Sequence, residues 1–370
     1  MKKHLVLVGG GHAHLTTLLK LREFTERGHK VTVISSSGYH YYSGMGPGML
    51  SGIYQPQEIR FHIKKMAEDR GAGFLEDSVI RINPLERKLI LSSGSSVEYD
   101  VVSFNTGSEI SADDSTGDNV YTVKPIINLL KAREWILGNL RKRDLRIAVI
   151  GGGPAGVEIA GNVWRLVLDN GGRADILLLA GRELLKRMPG KVCRLVRSSF
   201  QKRNIRIIEG RHMTSLTKTT VVMEDGSEIP FDAAFLATGV RPASLFRNSG
   251  IPVGDDGGML VNSSLQSIDF PEIFGGGDCI SFKDRPLDKV GVYAVRQNPV
   301  LHQNLLAGLE GGKLMTFVPQ KNYLLIFNLG DGRGVFRRKN ITWDGRLAFL
   351  LKDYIDRKFM RKFQVSGELD

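Results

Sequence analysis

Cysteine is scarce in this sequence. Among its 370 residues only Cys193 and Cys279 occur, so neither a disulfide framework nor a cysteine-ligated zinc site can be built, and we expect no metal site. Thiol–disulfide exchange needs two thiols close together, and no cysteine precedes Cys193. This usage excludes a redox cysteine pair in the N-terminal part of the chain. It is typical of a reducing compartment, so we expect a cytoplasmic protein.

Long apolar runs are missing as well. No run approaches the length of a membrane-spanning helix. The first apolar stretch, residues 4–8, ends at glycines, so we interpret it as a strand and not as a signal peptide. Apolar residues make up 42% and charged residues 24% of the chain, which is the balance of a globular protein. A chain of this length predicts two or three domains.

Acidic residues are outnumbered by basic ones, and the formal net charge is +12. The excess is concentrated in residues 331–363, which hold ten Lys or Arg and four Asp. Such a basic segment indicates either an anionic surface or partner, or simply a solvated face. We expect no nucleic-acid partner.

The chain opens with the apolar residues 4–8, a glycine turn and a helical pattern of leucines. This order is typical of a dinucleotide-binding βαβ unit. Gly9 permits the tight turn, and Gly11 lets the backbone approach a pyrophosphate. The N-terminus of the following helix attracts that anion.

Two positions depart from this pattern. His14 stands where Gly or Ala usually allows close packing, and Ser35 follows the second strand where an acid usually holds the ribose. A hydroxyl can still bond a ribose, although without charge. For His12 and His14 we favour a packing or capping role over a contact with the ligand.

The opening pattern occurs a second time along the chain. Residues 146–150 form an apolar strand, and Gly151–Gly156 completes the G-x-G-x-x-G pattern before another helix. Each copy ends in a similar stretch, residues 99–107 and residues 231–239, and both stretches finish in Thr-Gly. Two glycine turns in matching frames predict two dinucleotide-binding units.

Three further segments carry candidate functional residues. Residues 273–279 read as a strand that leads into a glycine turn with one carboxylate, Asp278, and Gln297 lies early in the next helix. The loop of residues 38–49 is rich in aromatic residues, glycine and methionine. It fits a buried loop against a flat ligand, or a loop that only covers the core.

These motifs together resemble the two-dinucleotide flavoproteins, the pyridine nucleotide-disulfide oxidoreductase superfamily, which includes type II NADH dehydrogenases and sulfide:quinone reductases. The resemblance rests on both glycine turns, Glu158, the Thr238-Gly239 pair and Gly277-Asp278. More narrowly, Tyr42–Met45, Ala294–Gln297 and Lys352–Met360 are similar to the flavoprotein module often joined to selenide, water dikinase.

The resemblance implies an α/β fold with two Rossmann-like domains, the second inserted in the first. Residues 1–123 and 252–318 are expected to bind FAD, and residues 124–251 are expected to bind NAD(P)H. Residues 319–370 are expected to form a small C-terminal α+β segment with a basic amphipathic helix.

The resemblance also implies roles for single residues. Glu158 is expected near the contact of nicotinamide and flavin, and Gln297 beside the isoalloxazine. Asp278 is expected on the flavin ribitol, although a turn-forming aspartate is the alternative. Expected on the FAD side are Gly9, Gly11, His12, Ala13, Ser35, Ser43, Pro47, Thr106, Gly107, Gly277 and Asp278; expected on the NAD(P)H side are Gly151, Gly153, Pro154, Ala155, Gly156, Arg182 and Gly239.

The favoured function is an FAD-dependent NAD(P)H dehydrogenase that passes electrons to a quinone or another small acceptor without a redox disulfide. One alternative is a flavoprotein of selenium or sulfur metabolism. Another is a slow flavin-binding sensor or partner protein. No acid stands at the end of the strand of residues 176–179, which continues Ala180-Gly181-Arg182, so we expect NADPH to be used at least comparably to NADH. Arg182 either meets the 2′-phosphate or is solvated.

The last helix is expected over residues 344–363. Its apolar positions recur every four residues, and basic residues are interspersed. A basic amphipathic helix can lie on an anionic membrane surface, which would place the protein on the cytoplasmic membrane face, where quinone is found. The alternative is a helix packed on the protein body or on the partner of a homodimer.

Overall fold

The structure is a computed structural model that describes residues 2–110 and 117–369. The first part of the chain alternates short buried strands with short helices. It contains β1 (His4–Val8), α1 (Leu15–Leu19), α2 (Arg22–Thr25), β2 (Lys30–Ser35), β3 (Tyr39–Tyr41), α3 (Gly46–Ser51), β4 (Arg60–His62), α4 (Ile63–Glu68), β5 (Gly73–Glu76), β6 (Val79–Asn83), β7 (Lys88–Leu91), β8 (Ser96–Glu98) and β9 (Val101–Phe104).

The middle part repeats this plan with longer helices. It contains β10 (Val120–Thr122), α5 (Ile127–Leu140), β11 (Leu145–Ile150), α6 (Pro154–Asp169), β12 (Ala174–Leu179), α7 (Gly190–Gln201), β13 (Arg206–Ile208), β14 (Met213–Leu216), β15 (Thr220–Met223), β16 (Glu228–Pro230), β17 (Ala233–Leu236) and α8 (Leu245–Asn248).

The last part returns to the first sheet and then adds a hairpin and a helix. It contains β18 (Met259–Val261), β19 (Ile273–Gly275), β20 (Ile280–Phe282), α9 (Gly291–Glu310), β21 (Leu325–Asn328), β22 (Gly334–Arg338), β23 (Ile341–Gly345) and α10 (Arg346–Phe363). Within the described residues, no helix combines the length and the apolarity needed to cross a bilayer.

Two five-stranded parallel sheets form the framework. Their orders are β19-β9-β1-β2-β5 and β10-β17-β11-β12-β13. In both sheets the strand before the glycine turn lies between the strand that ends in Thr-Gly and the next strand along the chain. In each sheet, the ends of these three strands are in register, since Val8 pairs with Ile34 and Phe104, and Ile150 pairs with Leu179 and Leu236. Because carboxyl ends of parallel strands meet at one edge, both glycine turns lie at such an edge.

The strands of both sheets consist mainly of apolar residues, which accounts for the burial of the sheets. Leu5, Leu7 and Val149 are fully buried, as expected for parallel strands that helices cover on both faces. Small antiparallel sheets, β6-β7-β8 and β14-β15-β16, follow each copy of the unit, and β21-β22-β23 precedes α10.

Two helices differ from the sequence expectation. The helix after the first glycine turn is interrupted at Lys20, so that α1 and α2 share the expected leucine face as two short pieces. The last helix begins at Arg346, because Asp344 still pairs with Val335 in the β22-β23 hairpin.

Candidate active site

A cavity of about 2040 Å³ lies along the carboxyl ends of both parallel sheets. A typical small-molecule pocket has roughly 300–1,000 Å³, so this cavity has room for two extended ligands. Most of the residues expected from the sequence line it: Gly9, Gly11, His12, Ser35, Ser43, Pro47, Thr106, Gly107, Gly151, Gly153, Pro154, Ala155, Glu158, Gly239, Gly277 and Asp278.

Asn105 holds the first glycine turn in place. Its Oδ1 accepts a hydrogen bond from the Ala13 backbone N–H at 2.9 Å, and its Nδ2 donates to the Gly276 carbonyl at 2.6 Å. Gly9 has a φ of +85°, and a Cβ there would overlap the Asn105 carbonyl. Ala13 therefore lies in the core, outside the cavity wall, and the sequence reasoning missed Asn105.

The two histidines of the first turn have different surroundings. His14 is fully buried, and its ring nitrogens bond the Gly9 carbonyl at 2.6 Å and Ser103 Oγ at 2.8 Å, which is a packing role. His12 lines the cavity and meets the rings of His40 and Tyr42 edge to face. Burial lowers the pKa of His12 to about 4, so this part of the wall is neutral.

Asp278 reaches the cavity from the glycine turn after β19. Its Oδ2 accepts hydrogen bonds from Ser108 Oγ at 2.8 Å and from Lys124 Nζ at 2.6 Å. Lys124 was expected only to mark a boundary between domains. A carboxylate has acceptor sites beyond these two bonds, so Asp278 can also accept a hydrogen bond from a polyol.

Four expected site residues do not line the cavity. Gln297 is buried, and its Oε1 accepts a hydrogen bond from the Gly277 N–H at 2.7 Å, so it positions the turn that carries Asp278. The expectation that Gln297 lies beside the isoalloxazine stays a prediction, and the structure places its side chain behind the turn that carries Asp278. Gly156 packs under Gly151, where a Cβ would overlap the Gly151 carbonyl. Arg182 is exposed, and Ala13 is the fourth.

Glu158 faces the cavity from the first turns of α6. Its Oε1 accepts a hydrogen bond from the Asn328 N–H at 2.8 Å. Burial raises the pKa of Glu158 to about 7, and the positive charge of Lys352 opposes this rise. The carboxyl can therefore hold or release a proton near neutral pH.

The inner face of α10 brings charged groups to the same region. Lys352 Nζ donates to Asp356 Oδ2 at 2.6 Å and to the Gly44 carbonyl at 2.6 Å. The Tyr42 hydroxyl donates to Asp356 Oδ1 at 3.0 Å. Burial and the Asp356 charge raise the pKa of Tyr42 well above its usual value. Lys352, one of the basic residues interspersed in this helix, is therefore held on its inner face.

Two parallel dinucleotide-type sheets that share one cavity define a class of protein with two nucleotide sites. The chain belongs to the pyridine nucleotide-disulphide oxidoreductase family, whose model matches residues 3–304. Members of this family bind FAD and use NAD(P)H. The chain is accordingly a flavin-dependent NAD(P)H oxidoreductase.

Curated relatives match nearly the whole chain at low identity. Ferroptosis suppressor protein 1 of Taeniopygia guttata is 24% identical, with 98% of this chain and 96% of that protein covered. A demethylphylloquinone reductase of Synechocystis sp. is 23% identical, with 85% of this chain and 81% of that protein covered. These proteins are similar to this chain over most of its length.

Solved structures confirm the expected α/β fold. The sulfide:quinone oxidoreductase of Aquifex aeolicus superposes with a TM-score of 0.81 at 18% identity and covers 100% of this chain and 93% of that one. NDH2 of Plasmodium falciparum, solved in complex with NADH, gives a TM-score of 0.82 at 15% identity and covers 97% and 96%. At these identities the likeness concerns the fold.

Proposed function

We propose that this chain is an FAD-dependent NAD(P)H dehydrogenase that passes electrons to a quinone or another small acceptor without a redox disulfide. The observation that carries the proposal is one cavity that joins both glycine turns, while neither Cys193 nor Cys279 lines it. Electrons must then leave the cofactor directly to an external acceptor. Two of the similar proteins are named for quinone reduction, which supports a quinone as the acceptor.

The residues at the first turn fit FAD. The open side of Gly107 faces the cavity, where no heavy atom of residues 2–110 and 117–369 lies within 4 Å of an added Cβ, so a ligand can approach that backbone closely. Asp278 and Ser108 line the cavity and have acceptor capacity left for the hydroxyls of a polyol. When bound, FAD supplies the hydride acceptor and the electron relay of the reaction.

The residues at the second turn fit a nicotinamide dinucleotide. Gly153 and Gly239 also have open space on their Cβ side and line the cavity. The N-terminus of α6 follows directly and attracts a pyrophosphate. The proposed division therefore assigns residues 1–123 and 252–318 to FAD, residues 124–251 to NAD(P)H and residues 319–370 to the C-terminal segment.

Glu158 has the properties of a proton donor for the acceptor. Conversion of NAD(P)H, a quinone and one proton to NAD(P)⁺ and a quinol takes up that proton. The Glu158 carboxyl faces the cavity and has a pKa of about 7, which suits proton transfer near neutral pH. Lys352 and Asp356 are positioning residues, since they hold α10 against the loop at Gly44.

Anaerobic spectroscopy tests the proposal. FAD-loaded protein should lose its flavin absorbance on addition of NADH or, separately, NADPH. A soluble short-chain quinone should then restore the absorbance over many turnovers. Flavin that keeps its colour with both nucleotides contradicts the proposal. Reduction followed by only a slow, near-stoichiometric reoxidation supports a sensor or partner protein instead.

A second candidate keeps the cofactor and changes the chemistry to selenium or sulfur species. Two of the three segments similar to the selenide, water dikinase-linked module touch each other, since Tyr42 bonds Asp356 and Lys352 bonds the Gly44 carbonyl. The resemblance therefore involves residues that meet beside the cavity. Flavin bleaching by sulfide or selenide without NAD(P)H would favour this candidate over quinone reduction.

A further inference from the structure

The adenosine end of the proposed NAD(P)H site has no free carboxylate where one is usual. After β12 come Ala180 and Gly181, and both line the cavity. NADH enzymes usually place an acid here to bond the ribose hydroxyls. Glu209 follows the neighbouring strand, but its Oε1 accepts hydrogen bonds from the Leu184 N–H at 2.6 Å and from Arg197 Nη2 at 2.8 Å. The Glu209 carboxylate is therefore already paired within the protein.

Two side chains that can donate hydrogen bonds line the adenosine end of the proposed site instead. Arg211 and His212 follow β13 and line the cavity beside Gly181. The Nδ1 and Cε1 atoms of His212 lie 3.2 Å from the position that a Cβ on Gly181 would take. The imidazole therefore packs against Gly181, one of the two residues that directly follow β12.

Arg211 has unused donors. Its Nη1 pairs with Asp225 and donates to Ser227 Oγ at 3.2 Å. Within residues 2–110 and 117–369, no hydrogen bond is found for its Nε or Nη2. Its side chain is 38% exposed, so the remaining edge of the guanidinium is accessible. Such an edge matches the geometry of a phosphate oxygen pair.

We propose that Arg211 and His212 form a subsite for the 2′-phosphate of NADPH. This inference rests on the proposed function, and it assigns the phosphate to the strand after the expected one. Arg182 is exposed and lies outside the cavity wall. Arg187 lines the cavity but faces Asp288, 3.7 Å away. The Arg211–Asp225 pair fixes the guanidinium while leaving two donor positions for the phosphate.

The test compares Arg211→Gln with the wild-type, full-length, FAD-loaded protein. The KM for NADPH should rise about tenfold or more, which is the loss expected for a charge-assisted hydrogen bond, while the KM for NADH stays unchanged. Calorimetry with adenosine 2′,5′-bisphosphate and with 5′-AMP gives a second readout that needs no turnover. Only the bisphosphate should bind more weakly to the variant.

Matched variants separate the outcomes. Arg206→Gln breaks another exposed Arg–Asp pair, the one between β13 and β12, and should change the affinity for neither nucleotide. His212→Gln should weaken the bisphosphate alone, and it tests the subsite if Arg211→Gln does not fold. Equal losses for NADPH and NADH, or a selective loss in Arg182→Gln instead, would overturn the proposal. If neither nucleotide bleaches the wild-type flavin, the proposed function fails, while the two calorimetric affinities still report on the subsite.

Discussion

Glu158 combines burial with a nearby positive charge. Its neighbours from the packed elements are Lys352 and Asp356 of α10 and the Asn328 N–H. Lys352 lowers the pKa and Asp356 raises it, but burial is the largest cause and sets it at about 7. The group thus changes charge near neutral pH.

Glu158→Gln should separate the two half-reactions. Flavin reduction by NAD(P)H should persist, because Gln keeps the shape and can still accept from Asn328. Quinone-dependent reoxidation should slow about 100-fold, the contribution typical of a general acid, and lose its pH dependence around pH 7. Stopped-flow absorbance from pH 6 to pH 8 measures both steps. Glu183→Gln, at an exposed position, is the control, and an unchanged pH profile in Glu158→Gln rules out the assigned role.

The same carboxyl should affect stability with a defined sign. A folded-state pKa of about 7, above the usual value of 4.5, means that the fold favours the protonated form. This contribution is fully present below the unfolded pKa and is lost as the pH rises through about 7. The free energy of unfolding should therefore fall less between pH 5 and pH 8 in Glu158→Gln than in the wild type. Urea titrations at the two pH values measure the difference, and parallel falls would contradict the pKa.

The sequence predicted those residues whose position depends on a local pattern. Gly9 and Gly151 follow from fixed spacing after a strand, Glu158 follows from the family resemblance, and each lines the cavity. Asn105 could have been found as a polar residue at the end of a buried strand. Lys124 carried no such signal, since its bond to Asp278 joins positions 154 residues apart.

At the scale of elements, α10 has an inner face that combines apolar and charged side chains and an outer face that exposes several large apolar ones. Leu347 is 72% and Tyr354 57% exposed, and Leu350, Leu351 and Ile355 are exposed beside them. Asp356 is buried, and Lys358 lies on the outer face. This arrangement suits a membrane surface, to which each basic residue contributes about 1 kcal/mol. The membrane contact is a proposal, and the exposed leucines carry it.

The variant Leu347→Ser/Leu350→Ser/Ile355→Ser should lose salt-sensitive binding to phosphatidylserine-containing vesicles. It should keep FAD and reduce a soluble quinone, because these side chains do not reach the cavity. Flotation at low and high salt measures the binding. The control is Ile80→Ser/Leu85→Ser, which changes two exposed apolar side chains outside α10.

If the wild-type protein does not float with anionic vesicles at low salt, the membrane proposal fails. The alternative, in which α10 packs on protein, then stands. Removal of the whole helix is a poorer experiment. Met360 and Phe363 are buried, and Asp356 bonds Tyr42, so truncation would damage the wall of the cavity along with the outer surface.

Substitution by alanine should have opposite effects on stability at two helix glycines. Gly161 of α6 packs against the turn after β21, where a Cβ would overlap the Leu329 carbonyl. Gly161→Ala should therefore destabilise the protein by about 1–3 kcal/mol. Gly138 of α5 has no heavy atom of the described part of the chain within 4 Å of an added Cβ, so Gly138→Ala should stabilise the protein by about 0.5–1 kcal/mol. Urea unfolding measures both, and a neutral Gly161→Ala would show that α6 and the turn are not tightly docked.

At the scale of the molecule, the internal repeat predicted both sheets, because each copy had its own glycine turn and its own Thr-Gly strand. The matching order of four strands in each sheet follows from that repeat, whereas the outer strand differs, since β19 comes after the first unit and β10 before the second. The docking of residues 319–370 could not be predicted in the same way. The amphipathic period of α10 alone does not determine which face of the helix packs on the protein. The inward face is the one whose Lys352 and Asp356 bond to the loop at residues 42–44.

The arrangement of the whole molecule predicts thiol-independent turnover. Cys193 lies beside the Leu184 carbonyl in the second unit, and Cys279 is buried against the Gly276 carbonyl. Burial raises the pKa of both thiols, so both are protonated at neutral pH and are poor nucleophiles. Cys193→Ala/Cys279→Ala should therefore keep the rates of flavin reduction and of reoxidation by a soluble quinone, with Glu158→Gln as the comparison that slows reoxidation. Stopped-flow and steady-state assays on folded, FAD-loaded protein decide the matter, since a double variant that binds FAD but transfers no electrons would require a thiol in the path.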